Sequence, residues 1–352
     1  MDTGLRVLVT GIGTFWGGRL AQRLESEPGV EVIVGLGTRP PLVPLERTEV
    51  VRADSSYSIL SRLVAATEVD VVAHTQLDVD STTTSERALH ETNVIGTMNV
   101  LAAAGSPGSS VRKVVVKSST LVCGATHRDP TFFSEDAGRS GPARTAVERS
   151  LLEIEGYLAD FAEDHPEVTV TVLRCANVLG PGLDSALSRA LRRRVVPEVF
   201  GFDPRLQFTH TDDVLGALRH ATMGDVPGVF NVAGDGLVTW SDVCRLLRRT
   251  RAPLPPWLTG RAASVLRVLR LVDLPAEVLG LLRYGRGVDN TRFKDTGFVY
   301  GYTSAAAVED FARALRLEAV GATGTPYRYD PAVEDFFRRS PAVRRTPPGA
   351  RR

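Results

Sequence analysis

The run Leu5-Arg6-Val7-Leu8-Val9 breaks into Thr10-Gly11-Ile12-Gly13-Thr14-Phe15-Trp16-Gly17, and this junction limits the folds open to the chain. The run reads as a buried parallel strand, and residues 18–25 read as the helix that follows it. Glycines between a strand and a helix let backbone N–H groups come close to a ligand, and the helix N-terminus then favours an anion. A pyrophosphate meets both conditions, so the turn reads as a dinucleotide-binding loop. Gly11 and Gly17 stand where such a loop needs them, whereas Thr14 occupies the place of the usual middle glycine. A tight turn that binds nothing is the competing reading.

The rest of the first half repeats this rhythm. Residues 31–35, 69–73, 111–117 and 168–173 are short β-branched runs, with helix-like stretches at 58–66, 86–104 and 146–163. Strands alternating with helices of this length imply right-handed crossovers and an α/β, doubly wound Rossmann-type parallel sheet. After about residue 180 the rhythm loosens, and Ala252-Pro-Leu-Pro-Pro256-Trp257 reads as a rigid connector. The expected organisation is a dinucleotide-binding domain over 1–180, rejoined by 206–234, and a smaller region over 181–340 that binds substrate. Residues 341–352 lack periodicity and read as a disordered tail. Residues 262–274 place Val265, Leu269 and Val272 on one face beside Arg267 and Arg270, as in a docked amphipathic helix; membrane contact is the sharper alternative.

Bulk properties narrow the class. A chain of 352 residues buries a sizeable core, and a net charge of +1 argues against a nucleic-acid surface. Cys123, Cys175 and Cys244 are odd in number and far apart, which fits reduced thiols and no disulfide framework or metal site. No signal-peptide pattern opens the chain, and no apolar run approaches the ~20 residues that span a bilayer. A cytoplasmic location is expected.

Further segments carry a resemblance. They are Val51-Arg52-Ala53-Asp54, Val71-Val72-Ala73-His74, the stretch from Glu91 through Asn93 and Gly96 to Leu101, Lys117-Ser118-Ser119-Thr120-Leu121-Val122-Cys123-Gly124, Leu173-Arg174 through Asn177 to Pro181, and His210-Thr211-Asp212-Asp213. With the glycine loop they resemble the extended short-chain dehydrogenases/reductases of the NAD-dependent epimerase/dehydratase type, as far as about residue 311. The resemblance implies that Asp54 faces the adenine, that Ala73 and His74 end a strand against the cofactor, and that Asn93 supports the active-site backbone. It puts the active-site hydroxyl at Ser119 and Cys123 on the substrate side. Asn177 and an arginine, Arg205 or Arg286, would contact a nucleotide diphosphate sugar.

The chain departs from that family in its catalytic pair. The family's Tyr-x-x-x-Lys falls on Thr145 and Arg149, and the only lysines are Lys113, Lys117 and Lys294. Arg149 keeps the positive charge and could hydrogen-bond the nicotinamide ribose. Thr145 is far too weak an acid to replace a phenol. His127, whose imidazole is a common general base, is a substitute base to weigh against an exposed loop histidine. Cys123, Glu135, Asp136 and His74 are weighed in the same way against plain structural roles.

The cofactor is NAD or NADP. Where an NAD enzyme usually carries an acid after its second strand, this chain has Gly37-Thr38-Arg39, which favours a 2′-phosphate and hence NADP. Two readings stay open. One is an epimerase, dehydratase or reductase acting on a nucleotide sugar or related alcohol through an altered base. The other is a dinucleotide-binding protein of the same fold without turnover. The expected partner is a small molecule, and a homodimer is left open.

Overall fold

The valine-rich runs become the strands of one parallel sheet. In the computed structural model, which describes residues 4–256 and 275–323, these are β1 (Leu5–Thr10), β2 (Val30–Gly37), β3 (Glu49–Arg52), β4 (Val71–His74), β5 (Lys113–Ser119), β6 (Thr169–Cys175) and β7 (Gly228–Val232). Their order is β7-β6-β5-β4-β1-β2-β3, with every neighbouring pair parallel. Parallel strands need crossovers, and helices supply most of them. Among the described helices are α1 (Phe15–Leu24), α2 (Tyr57–Thr67), α3 (Glu86–His90), α4 (Gly96–Ala104) and α5 (Ala146–Asp164), then α6 (Ala186–Arg192), α7 (Thr211–Met223), α8 (Trp240–Leu246) and α9 (Ala276–Tyr284). A π-helical turn, Glu91–Ile95, joins α3 to α4 without a break.

Alternation along the strands divides the core between two faces. Leu8, Val72, Val114 and Val116 pack with Leu60, Val100 and Leu151 of α2, α4 and α5. Val7, Val9, Val71 and Val115 pack with Leu20 of α1 and Val214 of α7. Apolar side chains on both sides are what a central parallel strand requires, and they account for the continuous valine runs.

Two elements differ from the sequence reading. Helix α1 begins at Phe15 because Thr14, in extended backbone at φ −88°, accepts a hydrogen bond from Gly17 N at 3.1 Å. A hydroxyl cap there does what a middle glycine could not. The connector around Pro253 is in part a strand, Thr250–Leu254, paired in parallel with Val195–Val199. It lies in a two-stranded sheet, where a proline without an N–H is tolerated.

Residues 4–312 belong to one compact unit; of a second unit, residues 313–323 are helical. Trp257, the stretch 262–274 and the tail 341–352 lie outside the described residues.

Candidate functional site

A cavity of about 910 Å³ opens at the C-terminal ends of β1, β2, β5 and β6, where the connecting loops converge. The loop after β1 forms one side through Gly11, Gly13, Thr14, Phe15 and Trp16. Gly11 has φ +75°, and a Cβ there would lie 2.9 Å from Gln76 Cα. A Cβ on Gly17 would fall 2.2 Å from the Gly11 carbonyl oxygen, so the first turn of α1 rests directly on the loop. The N–H groups of Gly13, Phe15 and Trp16 have no acceptor among the described residues, the last two because a first helical turn has none to offer. Three open N–H groups at a helix N-terminus fit the oxygens of a pyrophosphate.

Thr38 and Arg39 continue the lining beyond β2. Loop and strand end are in contact, since a Cβ on Gly13 would sit 2.5 Å from the Arg39 carbonyl oxygen. The opposite wall is held by Asn93, buried in the π-helical turn. Its Oδ1 accepts from Asp78 N at 2.7 Å, and its Nδ2 donates to Asp78 O at 2.7 Å and Ser150 Oγ at 3.3 Å. Asn93 therefore stays out of the cavity while fixing Asp78, which lines it. Asp80, also in the lining, pairs with Arg189 of α6 at 2.5 Å.

Ser119, at the tip of β5, lines the cavity, and its Oγ accepts from Leu121 N at 3.3 Å. Asn177 and Arg286 line it from the other end. Asn177 Nδ2 donates to Gln207 O at 2.9 Å, and Arg286, buried, donates from Nη1 to Gly124 O at 2.9 Å.

Other expected residues lie outside this lining. Thr145 is the N-cap of α5 and accepts from Glu148 N at 3.1 Å. Arg149, one turn on, has a side chain 54% exposed and 3.6 Å from Glu86, because its position on α5 turns outward between buried Glu148 and Ser150. His127 is exposed on a loop, its ring 6.4 Å from that of Tyr284. Cys123 is buried in the turn after β5, and burial pushes its thiol up. Ala73 and His74 are buried within β4, Asp54 is exposed and accepts from Ser56 N, and Arg205 is exposed. Glu135 accepts from Asn231 N, and Asp136 pairs with Arg292.

Among the cavity residues that escaped the sequence reading are Lys117 and Glu277. Lys117 lies two residues from both Val115 and Ser119, so strand alternation puts it on their face, a signal present in the sequence but unused. Glu277, at the start of α9, is buried and lines the cavity with no motif around it.

Residues 7–233 match the NAD dependent epimerase/dehydratase family. An uncharacterized protein of Mycobacterium tuberculosis is 35% identical over 320 residues, covering 89% of this chain and 85% of its own. UDP-glucuronic acid decarboxylase 5 of Arabidopsis thaliana is 22% identical over 271 residues, 72% of this chain and 76% of that one. The UDP-glucuronic acid 4-epimerase of Bacillus cereus, solved in complex with NAD, superposes with a TM-score of 0.69 at 17% identity, over 89% of this chain and 99% of that one. The UDP-glucose 4-epimerase of Thermotoga maritima, solved with UDP-glucose, gives 0.67 at 19% identity, over 90% and 100%. At these identities the structural likeness is one of fold, while the family match spans most of the chain. The protein belongs to the NAD-dependent epimerase/dehydratase family.

Proposed function

We propose that the protein binds NAD or NADP and transfers hydride from a carbinol carbon of a nucleotide sugar or related alcohol, using an acid–base group other than the family's tyrosine. The observation that carries this reading is the continuity of one cavity from the open N–H groups of the glycine loop, past Ser119, to Asn177 and Arg286. The B. cereus and T. maritima enzymes are named for UDP sugars, which supports that substrate class. Arg189, Glu277 and Arg286 reach the cavity from beyond residue 180, which supports a substrate-binding role for that region.

Bound NAD(P) would supply the hydride acceptor. Among the described residues the Ser119 Oγ only accepts, from Leu121 N, which leaves its hydroxyl hydrogen for a substrate oxygen. The substrate proton needs a base, and Glu277 is suited to it. Its Oε2 accepts from Ser81 Oγ at 3.2 Å, and its Oε1 is buried with no hydrogen-bond partner among the described residues. Burial raises its pKa, against the opposing pull of its own backbone N–H and of the Ser81 hydroxyl. Such a carboxylate is a stronger base than an exposed one. The O–H proton passes to Glu277 as the C–H bond gives up its hydride, leaving a carbonyl; the reverse returns both. Arg39, with no acid at Gly37, supports NADP, whereas the NAD in the B. cereus complex supports NAD.

The test is incubation of the full chain with NAD or NADP and either UDP-glucose or UDP-glucuronic acid, with reduced nicotinamide read by absorbance and the sugar by mass spectrometry. An oxidised or isomerised sugar is expected. Binding of dinucleotide without any sugar product would favour the protein without turnover, a reading supported by Thr145 and Arg149 lying outside the cavity lining.

A further inference from the structure

Lys117 is a charge that the fold leaves unexplained. It lies on the same face of β5 as Val115, which belongs to the core, and Ser119 at the strand tip. The residue is only 5% exposed, yet it lines the cavity. Its Nζ sits 4.8 Å from the centre of the Trp16 ring. Among the described residues it makes no hydrogen bond and no ion pair; the charge nearest to it in effect is the buried Cys175 thiol, which burial keeps neutral. The cation–π contact offsets only a small part of the cost of burying the charge. An ammonium buried without a counterion is strongly unfavourable, so the site as built is short of one negative charge.

Where that charge would come from follows from Trp16. It is the second residue of α1 and carries one of the three open N–H groups. Lys117 thus touches the side chain of a residue in the helix N-terminus that fits a pyrophosphate, and lines the same cavity. We propose that Lys117, from the floor of the sheet, supplies the cation that binds the dinucleotide pyrophosphate. This rests on the reading of the cavity as a dinucleotide site and deepens it. Arg149, by contrast, faces Glu86 and lies outside the cavity lining. Burial also lowers the Lys117 pKa, which fits an amine waiting for an anion.

The experiment uses the full chain and its K117M variant, a near-isosteric loss of charge, titrated calorimetrically with NADH and with ADP-ribose, which keeps the pyrophosphate but lacks nicotinamide. Thermal unfolding without ligand is recorded beside it. The expected result is a ~10- to 100-fold loss of affinity for both ligands, the range of one charge-assisted bond, with an unliganded melting temperature equal to or above the parent's. A lysine that only shaped the fold would lower that temperature instead. If K117M binds both ligands as the parent does, or loses NADH alone, the assignment of Lys117 to the pyrophosphate is overturned while the dinucleotide site stands. If the parent itself binds neither ligand, the dinucleotide reading falls and takes this inference with it.

Discussion

Thr10 Oγ1 and His74 Nδ1 lie 2.6 Å apart, joining the ends of β1 and β4 inside the protein. The Thr97 hydroxyl donates to Asn93 O at 2.6 Å, so His74 Nε2, 3.1 Å from the same hydroxyl oxygen, must be the donor there. Nδ1 then accepts from Thr10, and the imidazole is neutral with both nitrogens satisfied. This fully buried ring braces the strand ends below the cavity.

A pH dependence of stability follows. Burial lowers the His74 pKa from 6.5 to about 4. Between those values the unfolded chain takes a proton that the folded chain refuses, so the stability present above pH ~6.5 is lost as pH falls towards ~4, by about 3 kcal/mol at most. Urea unfolding of the parent and of His74→Gln across that range should show the slope shrinking in the variant. An unchanged slope would clear His74 of the effect.

Arg139 and Glu148 form a 2.7 Å ion pair with both side chains only 10% exposed, and Glu148 also accepts from Arg144 N at 2.9 Å. Arg139→Met should destabilise the protein by ~3–5 kcal/mol, because it strands a buried carboxylate. Adding Glu148→Gln should recover part of that loss. Denaturation midpoints of the single and double variants decide it, and an additive double variant would contradict the coupling.

For cofactor choice, Arg39→Ala should weaken NADP by about tenfold or more and leave NAD nearly unchanged, since only NADP carries a 2′-phosphate for the guanidinium. Equal losses for both would show that Arg39 does not select.

Glu277→Gln should lower turnover by ~10²- to 10⁴-fold while dinucleotide affinity holds. In the parent, alcohol oxidation should rise with pH as Glu277 loses its proton, with a midpoint above the ordinary carboxylate value of 4.5. A profile that keeps this limb in Glu277→Gln would assign the base elsewhere.

Much of the sheet was legible because central parallel strands are apolar on both faces, so β1, β2, β4, β5 and β6 announce themselves as valine runs. Strand β3 did not, since Glu49 and Arg52 leave an edge with little apolar pattern. Helix α5 was legible to within a residue through its 3.6-residue period. The glycine loop was legible because its need for Gly11 and Gly17 is local. Whether Arg149 turns inward or outward depends on the rotation of α5 against its neighbours, which no motif encodes. The burial of Lys117 and Glu277 likewise depends on Trp16 and on Ser81, far away in sequence.

The most direct test of the account is calorimetric titration of the full chain with NAD and NADP, beside thermal unfolding with each ligand. Saturable binding of at least one at a single site is expected, with a melting temperature that rises with ligand concentration. Gly11→Val, which places a side chain at φ +75° against Gln76, should abolish that binding in whatever fraction remains folded. A folded parent chain that shows neither heat nor thermal shift with either dinucleotide would contradict the account.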